Sequence, residues 1–168
     1  TDADGNPVIS ISSDGGSYAV TGSVGGAVGG LLDSHEVIRG VQADLNTFAE
    51  TFADAFNTQH AAGYDTDGNP VGDHFTYTTG SAASSLAVDS GVAGDPGLLA
   101  LASSASASAG DGGNLDSLID LQDSAIFGGG ALTAEDYVSS IYATIGQEVA
   151  SASAAYDSAN ATTSDLQT

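Results

Sequence analysis

Apolar positions along the chain fall into two long stretches of helical period, separated by segments that lose it. In the first stretch Ile38, Val41, Leu45, Phe48, Phe52 and Ala55 step by 3, 4, 3, 4 and 3, which places them on one face of a helix. Phe56 widens this stripe, and Gly63 stands where a C-terminal cap belongs. The pattern predicts a helix from about Leu31 to Ala62, entered through the glycine-punctuated run of residues 25–30. In the second stretch Val138, Tyr142, Ile145, Val149, Ala152, Tyr156, Ala159, Thr163 and Leu166 alternate steps of 4 and 3, a heptad seam that runs to the end of the chain. Thr133, with Asp136 in place of the usual Glu or Gln of a capping box, marks where this second helix begins. A helix of about 35 residues spans roughly 50 Å, whereas a compact chain of this size is about 40 Å across. The two stripes can bury each other. The expected fold is therefore mainly α: an elongated antiparallel helical bundle, or rod, with a small β-hairpin and irregular part.

The remaining segments read as turns and short strands. Asp4-Gly5-Asn6-Pro7 and Asp14-Gly15-Gly16 are turn chemistry, and the β-prone runs Val8–Ser12 and Tyr18–Thr21 flank the second of them. Residues 1–25 are thus expected to form a β-hairpin or the edge of a β-domain. Residues 26–168 are expected to form the helical rod, with an irregular or β excursion at about 64–110. Within that excursion Tyr64–Pro70 is a turn cluster, His74–Thr78 alternates like a strand, and Ser85–Val88 is a weaker strand. Asp95-Pro96-Gly97 breaks the chain, and residues 98–109 suit either helix or extended structure. Leu115, Leu118, Ile119 and Leu121 make a short helix over Asn114–Asp123, after which Gly128-Gly129-Gly130 interrupts the chain.

Charge narrows the set of partners. Lys and Arg together number 1 (Arg39) against 22 Asp and Glu, for a formal net charge of -21. Such a surface repels phosphates and anionic lipid, so neither nucleic acid binding nor membrane insertion is expected. No stretch approaches the roughly 20 apolar residues of a membrane span. Without cysteine there is no disulfide or thiolate chemistry. Stability must come from apolar burial and hydrogen bonds, against a self-repulsion that salt would screen. The acidity suits a solvated surface in a saline habitat, or calcium binding. The opening Thr1-Asp2-Ala3-Asp4 has neither an initiator Met nor a cationic leader and reads as a cut inside a longer chain.

Few residues invite chemistry. His35 and Glu36 are adjacent, so they point to different sides of a helix, and His60 lies far along it; all three are expected to be solvent-facing polar residues rather than metal ligands. Asp65, Asp67, Asn69 and Asp73 offer oxygens at alternating positions, as a calcium loop would. However, Pro70 takes the place of the EF-hand glycine and Thr76 that of its final Glu, and Asx turns account for the pattern without a metal. Asp2, Asp4 and Asn6 repeat the short version. No Gly-x-Ser-x-Gly elbow or phosphate loop is present. No catalytic residue and no cofactor is assigned. The residues expected to matter are those of the packing and assembly stripes: Ile38, Leu45, Phe48, Phe52, Phe56, Val138, Tyr142, Ile145, Val149 and Tyr156.

One stretch carries a resemblance. Gly29-Gly30-Leu31-Leu32-Asp33, then Leu45 to Asp65 with its Phe56-Asn57-x-Gln59-His60-x-x-Gly63 core, resembles the FlgK family, the first hook-associated protein of bacterial flagella. Asp67-Gly68-Asn69 and Gly72-Asp73-His74-Phe75 resemble that family's following turn and strand. Gly112-Gly113-Asn114, Leu118, Leu121-Gln122, and Thr133–Tyr137 with Ile145-Gly146 resemble its later segments, so the likeness spans about residues 24–168. It implies a non-enzymatic structural subunit at the hook–filament junction, here as an internal fragment. It also implies export to the extracellular flagellum, and as partners the hook, the second junction protein and an export chaperone. An acidic extracellular binding or adhesion module stabilised by calcium is the alternative.

Overall fold

The structure, a computed structural model, describes residues 7–20 and 25–166. Asp2, Asp4, Gly5, Asn6 and Thr21, on which some of the turn and strand expectations fall, lie outside the described residues. Two long helices dominate: α1, Gly26–Ala61, and α5, Ala134–Asp165. Between them come the short helices α2 (Ala82–Ser85), α3 (Ser90–Gly94) and α4 (Gly113–Ile119), with single 3-10 turns at Pro96–Leu98 and Asp120–Asp123. The protein is mainly α, as its periodicity predicts. The chain divides into two compact units, one of residues 41–147 and one of residues 1–40 with 148–168.

In the second of these units, β1 (Ser10–Ser13) and β2 (Gly16–Ala19) form an antiparallel hairpin across Asp14-Gly15, with Ile11 opposite Tyr18. Every strand residue is exposed, Ile11 and Tyr18 included. α1 begins at Gly26, five residues before the expected start, so it takes in Gly26, Gly29 and Gly30 of the glycine run. Each glycine costs about 1 kcal/mol relative to alanine in a helix. That penalty falls on residues added to an already nucleated helix, where each also gains a hydrogen bond.

The unit of residues 41–147 contains the core. Its excursion is pinned by two short antiparallel pairings: β3 (Phe75–Thr76) against β4 (Ala87–Val88), and Tyr64 bridged to Ala102 through mutual backbone hydrogen bonds of 3.0 and 3.2 Å. Residues 98–109, open between helix and extended structure on sequence alone, therefore leave the 3-10 turn at Leu98 as extended chain. Two aromatic groups organise the interior. Phe48, Phe127 and Tyr137 stack with centroid spacings of 5.0, 5.2 and 6.3 Å. Phe52, Phe56, Phe75, His60 and His74 form a second, tilted cluster. Phe127 is held by a loop in which Gly128, Gly129 and Gly130 all take positive φ, of 58°, 73° and 91°. The Phe127 carbonyl accepts from Gly130, Ala131 and Leu132, and the Phe127 N–H donates to Leu132 O. Three consecutive left-handed residues are routine only for glycine, which is why the triplet stands there.

The start of α5 is capped reciprocally. Asp136 N–H donates to Thr133 Oγ1 at 3.2 Å, while Thr133 Oγ1 and N–H donate to Asp136 Oδ2 at 2.9 and 3.3 Å. Asp thus performs the Glu role of the box, and its charge lies at the positive end of the helix dipole. Thr133→Ala should lower stability by about 1 kcal/mol in denaturant melts. An unchanged midpoint would mean that Tyr137 packing alone holds this turn.

Candidate functional site

The densest set of side-chain hydrogen bonds lies where α1 faces the excursion. Four of the side chains that build it are Asn46, Glu50, Asn57 and His60, which with Ala53 step by 4, 3, 4 and 3 and so share one helix face. Asn46 Nδ2 donates to Gly80 O, and its Oδ1 accepts from Ala83 N–H. Glu50 Oε1 accepts from Gly80 N–H at 2.7 Å. Asn57 Oδ1 accepts from the N–H groups of His74 and Phe75, and its Nδ2 donates to Phe75 O at 2.9 Å. Beside them Tyr77 donates its hydroxyl to Asp54 Oδ1 at 2.7 Å, a bond to carboxylate that raises the phenol above its ordinary value.

His60 is 0% exposed, and both ring nitrogens are engaged. Nε2 accepts from Ala100 N–H at 3.1 Å, so the ring proton belongs on Nδ1, which is 3.0 Å from Gly72 O and donates to it. A neutral imidazole in that tautomer ties residues 72 and 100 to the helix. The expectation of solvent-facing polar residues is therefore corrected at His60, although Glu36 is exposed. From the preceding residue, Gln59 Nε2 donates to Asn114 Oδ1, and Asn114 Nδ2 donates to Ala100 O. Gly63 makes room for this: a Cβ there would collide with Asn114 Nδ2 and lie 2.8 Å from Ala100 O. Thus each specified position of the Phe56-Asn57-x-Gln59-His60-x-x-Gly63 run has a contact of its own, Phe56 packing on His74 and Phe75 at 5.0 Å.

Of the stripe residues, Phe48, Phe52 and Phe56 are half-buried in the two aromatic groups, and Val138 and Ile145 are also half-buried. Ile38, Leu45, Tyr142, Val149 and Tyr156 are between 44% and 71% exposed. The buried face of α1 is set instead by Ala49, Ala53, Asn57 and His60. The stripe also leaves out Phe127, the largest fully buried side chain among the described residues.

Two of the calcium candidates, Asp65 and Asn69, are employed by their own loop. Asp65 Oδ1 accepts from the N–H groups of Asp67 and Asn69 at 2.9 and 2.7 Å, and Asn69 Nδ2 donates to Oδ2. The bond from Asn69 N–H, opposed by burial and helped by the other donors, holds Asp65 below the usual carboxylate value. Asp111 is lowered in the same way, chiefly by the N–H of Ser103 and then by its hydroxyl. Both carboxylates staple loops as anions. Their contribution is present above the ordinary carboxylate range and is lost as pH falls through the lowered values. Asp67 and Asp73 are exposed, and among the described residues no three His, Cys, Asp or Glu side chains are grouped so as to hold a metal ion.

A helix face that clamps a folded-back excursion, beside apolar side chains left in solvent, defines a structural helical domain. Residues 1–75 match the family described as the flagellar hook-associated protein FlgK helical domain. This part of the chain is accordingly similar to a flagellar hook-associated helical domain. The match takes in the hairpin, all of α1 and the Asn57 clamp, and ends at Phe75, the first residue of β3. No curated protein matches the chain. Among the described residues no helix is long and apolar enough to cross a membrane.

Proposed function

We propose that this chain is a structural subunit of the flagellar junction between hook and filament, working by helix packing and subunit assembly rather than catalysis. The match of residues 1–75 to a hook-associated helical domain carries this reading. Its partners on this reading are the neighbouring axial subunits, the hook protein and the second junction protein, with an export chaperone before assembly outside the cell. The exposed apolar side chains supply the means. Val149 and Tyr156 stand on the heptad seam of α5, and Ala152, Ala159, Thr163 and Leu166 on the same seam are exposed as well. On its own this part of the helix buries too little apolar area to offset about 1–2 kcal/mol of backbone ordering per residue. Contact with a neighbouring subunit would supply the missing burial. An elongated bundle completed between subunits follows from this reading.

The test is a charge placed on the seam. Val149→Glu and Tyr156→Glu should leave the denaturation midpoint of the isolated chain within about 0.5 kcal/mol, since both sites are exposed. The same changes should abolish co-sedimentation of the chain with hook and junction subunits. Assembly that proceeds undisturbed with both charges present would overturn the proposal that this seam is the interface.

A further inference from the structure

We propose that His60 and His74 form an acid-operated latch, in which taking up a proton releases residues 72–100 from α1. The two rings lie edge to face with centroids 5.2 Å apart, against the rings of Phe56 and Phe75. Each is committed to its neutral form by geometry. On His60, a proton at Nε2 would point a donor at the Ala100 N–H that this nitrogen now accepts. On His74, Nδ1 is buried and has no hydrogen-bond partner, so a charged ring there would hold an N–H with nothing to receive it. A charge on one ring also repels a charge on the other. Burial, and then the nearby His60, hold His74 below the ordinary histidine value.

Among the described residues no carboxylate offsets this by a bond to either ring. Asp73 adjoins His74 in the chain, and Asp89, following β4, donates its N–H to His74 O, but neither carboxylate bonds to either ring. Asp65 spends its oxygens on Asp67 and Asn69. From α1, Asp54 bonds to Tyr77 and Glu50 to Gly80. Tyr64 is tied through its backbone to Ala102. The first contacts to break are those the rings make or support: Ala100 N–H on Nε2, Gly72 O on Nδ1, and the Asn57 clamp beside His74.

The sign follows from linkage. A base lowered in the folded state is protonated more readily in the open state, so stability is full above about pH 6.5 and declines as pH falls from there towards the lowered value. Between pH 7.5 and 5.5 histidine is the side-chain type whose ordinary value lies in the window. The carboxylates change charge below that window. Acidification within it therefore reports on the latch rather than on the self-repulsion of the acidic surface.

The experiment is amide hydrogen exchange on the whole chain at fixed ionic strength, expressed as protection factors so that the intrinsic pH dependence is removed. Below about pH 6.5, protection of the Ala100 and Phe75 amides should fall roughly tenfold per pH unit for each proton taken up. His74→Phe, which keeps a ring among Phe56, His60 and Phe75, should flatten that fall. Constant protection in the native chain from pH 7.5 to 5.5, or an equal fall in His74→Phe, would overturn the proposal. Should the variant not fold, NMR titration of the native His74 ring decides. A ring that protonates while Ala100 stays protected overturns the latch, and loss of protection in step with protonation supports it.

Discussion

Replacing Phe127 by alanine should lower the unfolding free energy by about 3–5 kcal/mol, the range for removing a fully buried aromatic ring. The ring is 1% exposed and packs against both Phe48 and Tyr137, nearly parallel to Phe48 with an interplanar angle of 6°. Its loss opens a cavity that the surroundings cannot readily close. Phe48 belongs to a long helix, Tyr137 to the first turn of another, and the Phe127 backbone is fixed by its bonds to residues 130–132. Urea or guanidinium melts of the chain measure the effect. A cost below about 1 kcal/mol would show that the site collapses freely and that the three-ring stack is not a rigid part of the core. Phe52→Ala should cost less, because Phe52 is only half-buried.

Gly63→Ala should cost about 3 kcal/mol or more, although it adds a single methyl group, because overpacking is compounded here by lost hydrogen bonds. The added carbon would fall on the Asn114 amide and the Ala100 carbonyl, both well below van der Waals separation. Neither can yield cheaply. Asn114 is buried and bonded to Gln59 and Ala100, while Ala100 is bonded through its N–H to His60. Displacing Asn114 leaves buried polar groups without partners, at about 1–3 kcal/mol each. A double-mutant cycle isolates the collision. With Asn114→Ala already present, the added cost of Gly63→Ala should shrink by more than about 1 kcal/mol, and simple additivity would refute the steric account.

These two sites differ in how visible they are in the amino-acid sequence. Gly63 stands at the end of a helical pattern and reads as a cap, which accounts for its presence without its neighbours. Its close approach to Asn114 and Ala100 depends on chain that returns 37 and more residues later. Phe127 has no periodic context, and the Gly128–Gly130 triplet beside it reads as a break. The structure makes that triplet the tight loop that seats the ring.

What the sequence alone determined is whatever depends on local period and local hydrogen bonding. The two long helices follow from 3-and-4 spacing, the start of α5 from Thr133 and Asp136, the hairpin from Asp14-Gly15, and the Asp65 loop from Asx-turn chemistry. The acidic charge and the missing catalytic motifs are also direct readings. Tertiary structure decided which face of α1 is buried. The heptad stripe points to Ile38 and Leu45, yet the covered face carries Ala49, Ala53, Asn57 and His60, one position around the helix. A folded-back backbone segment brings unpaired N–H and C=O groups to the helix, and these must be met by small residues that let it approach and polar ones that bond to it. Asn46, Glu50, Asn57 and His60 are spaced for that purpose. Their role emerges only once the excursion is in place to supply Gly72, His74, Phe75, Gly80 and Ala100 as partners.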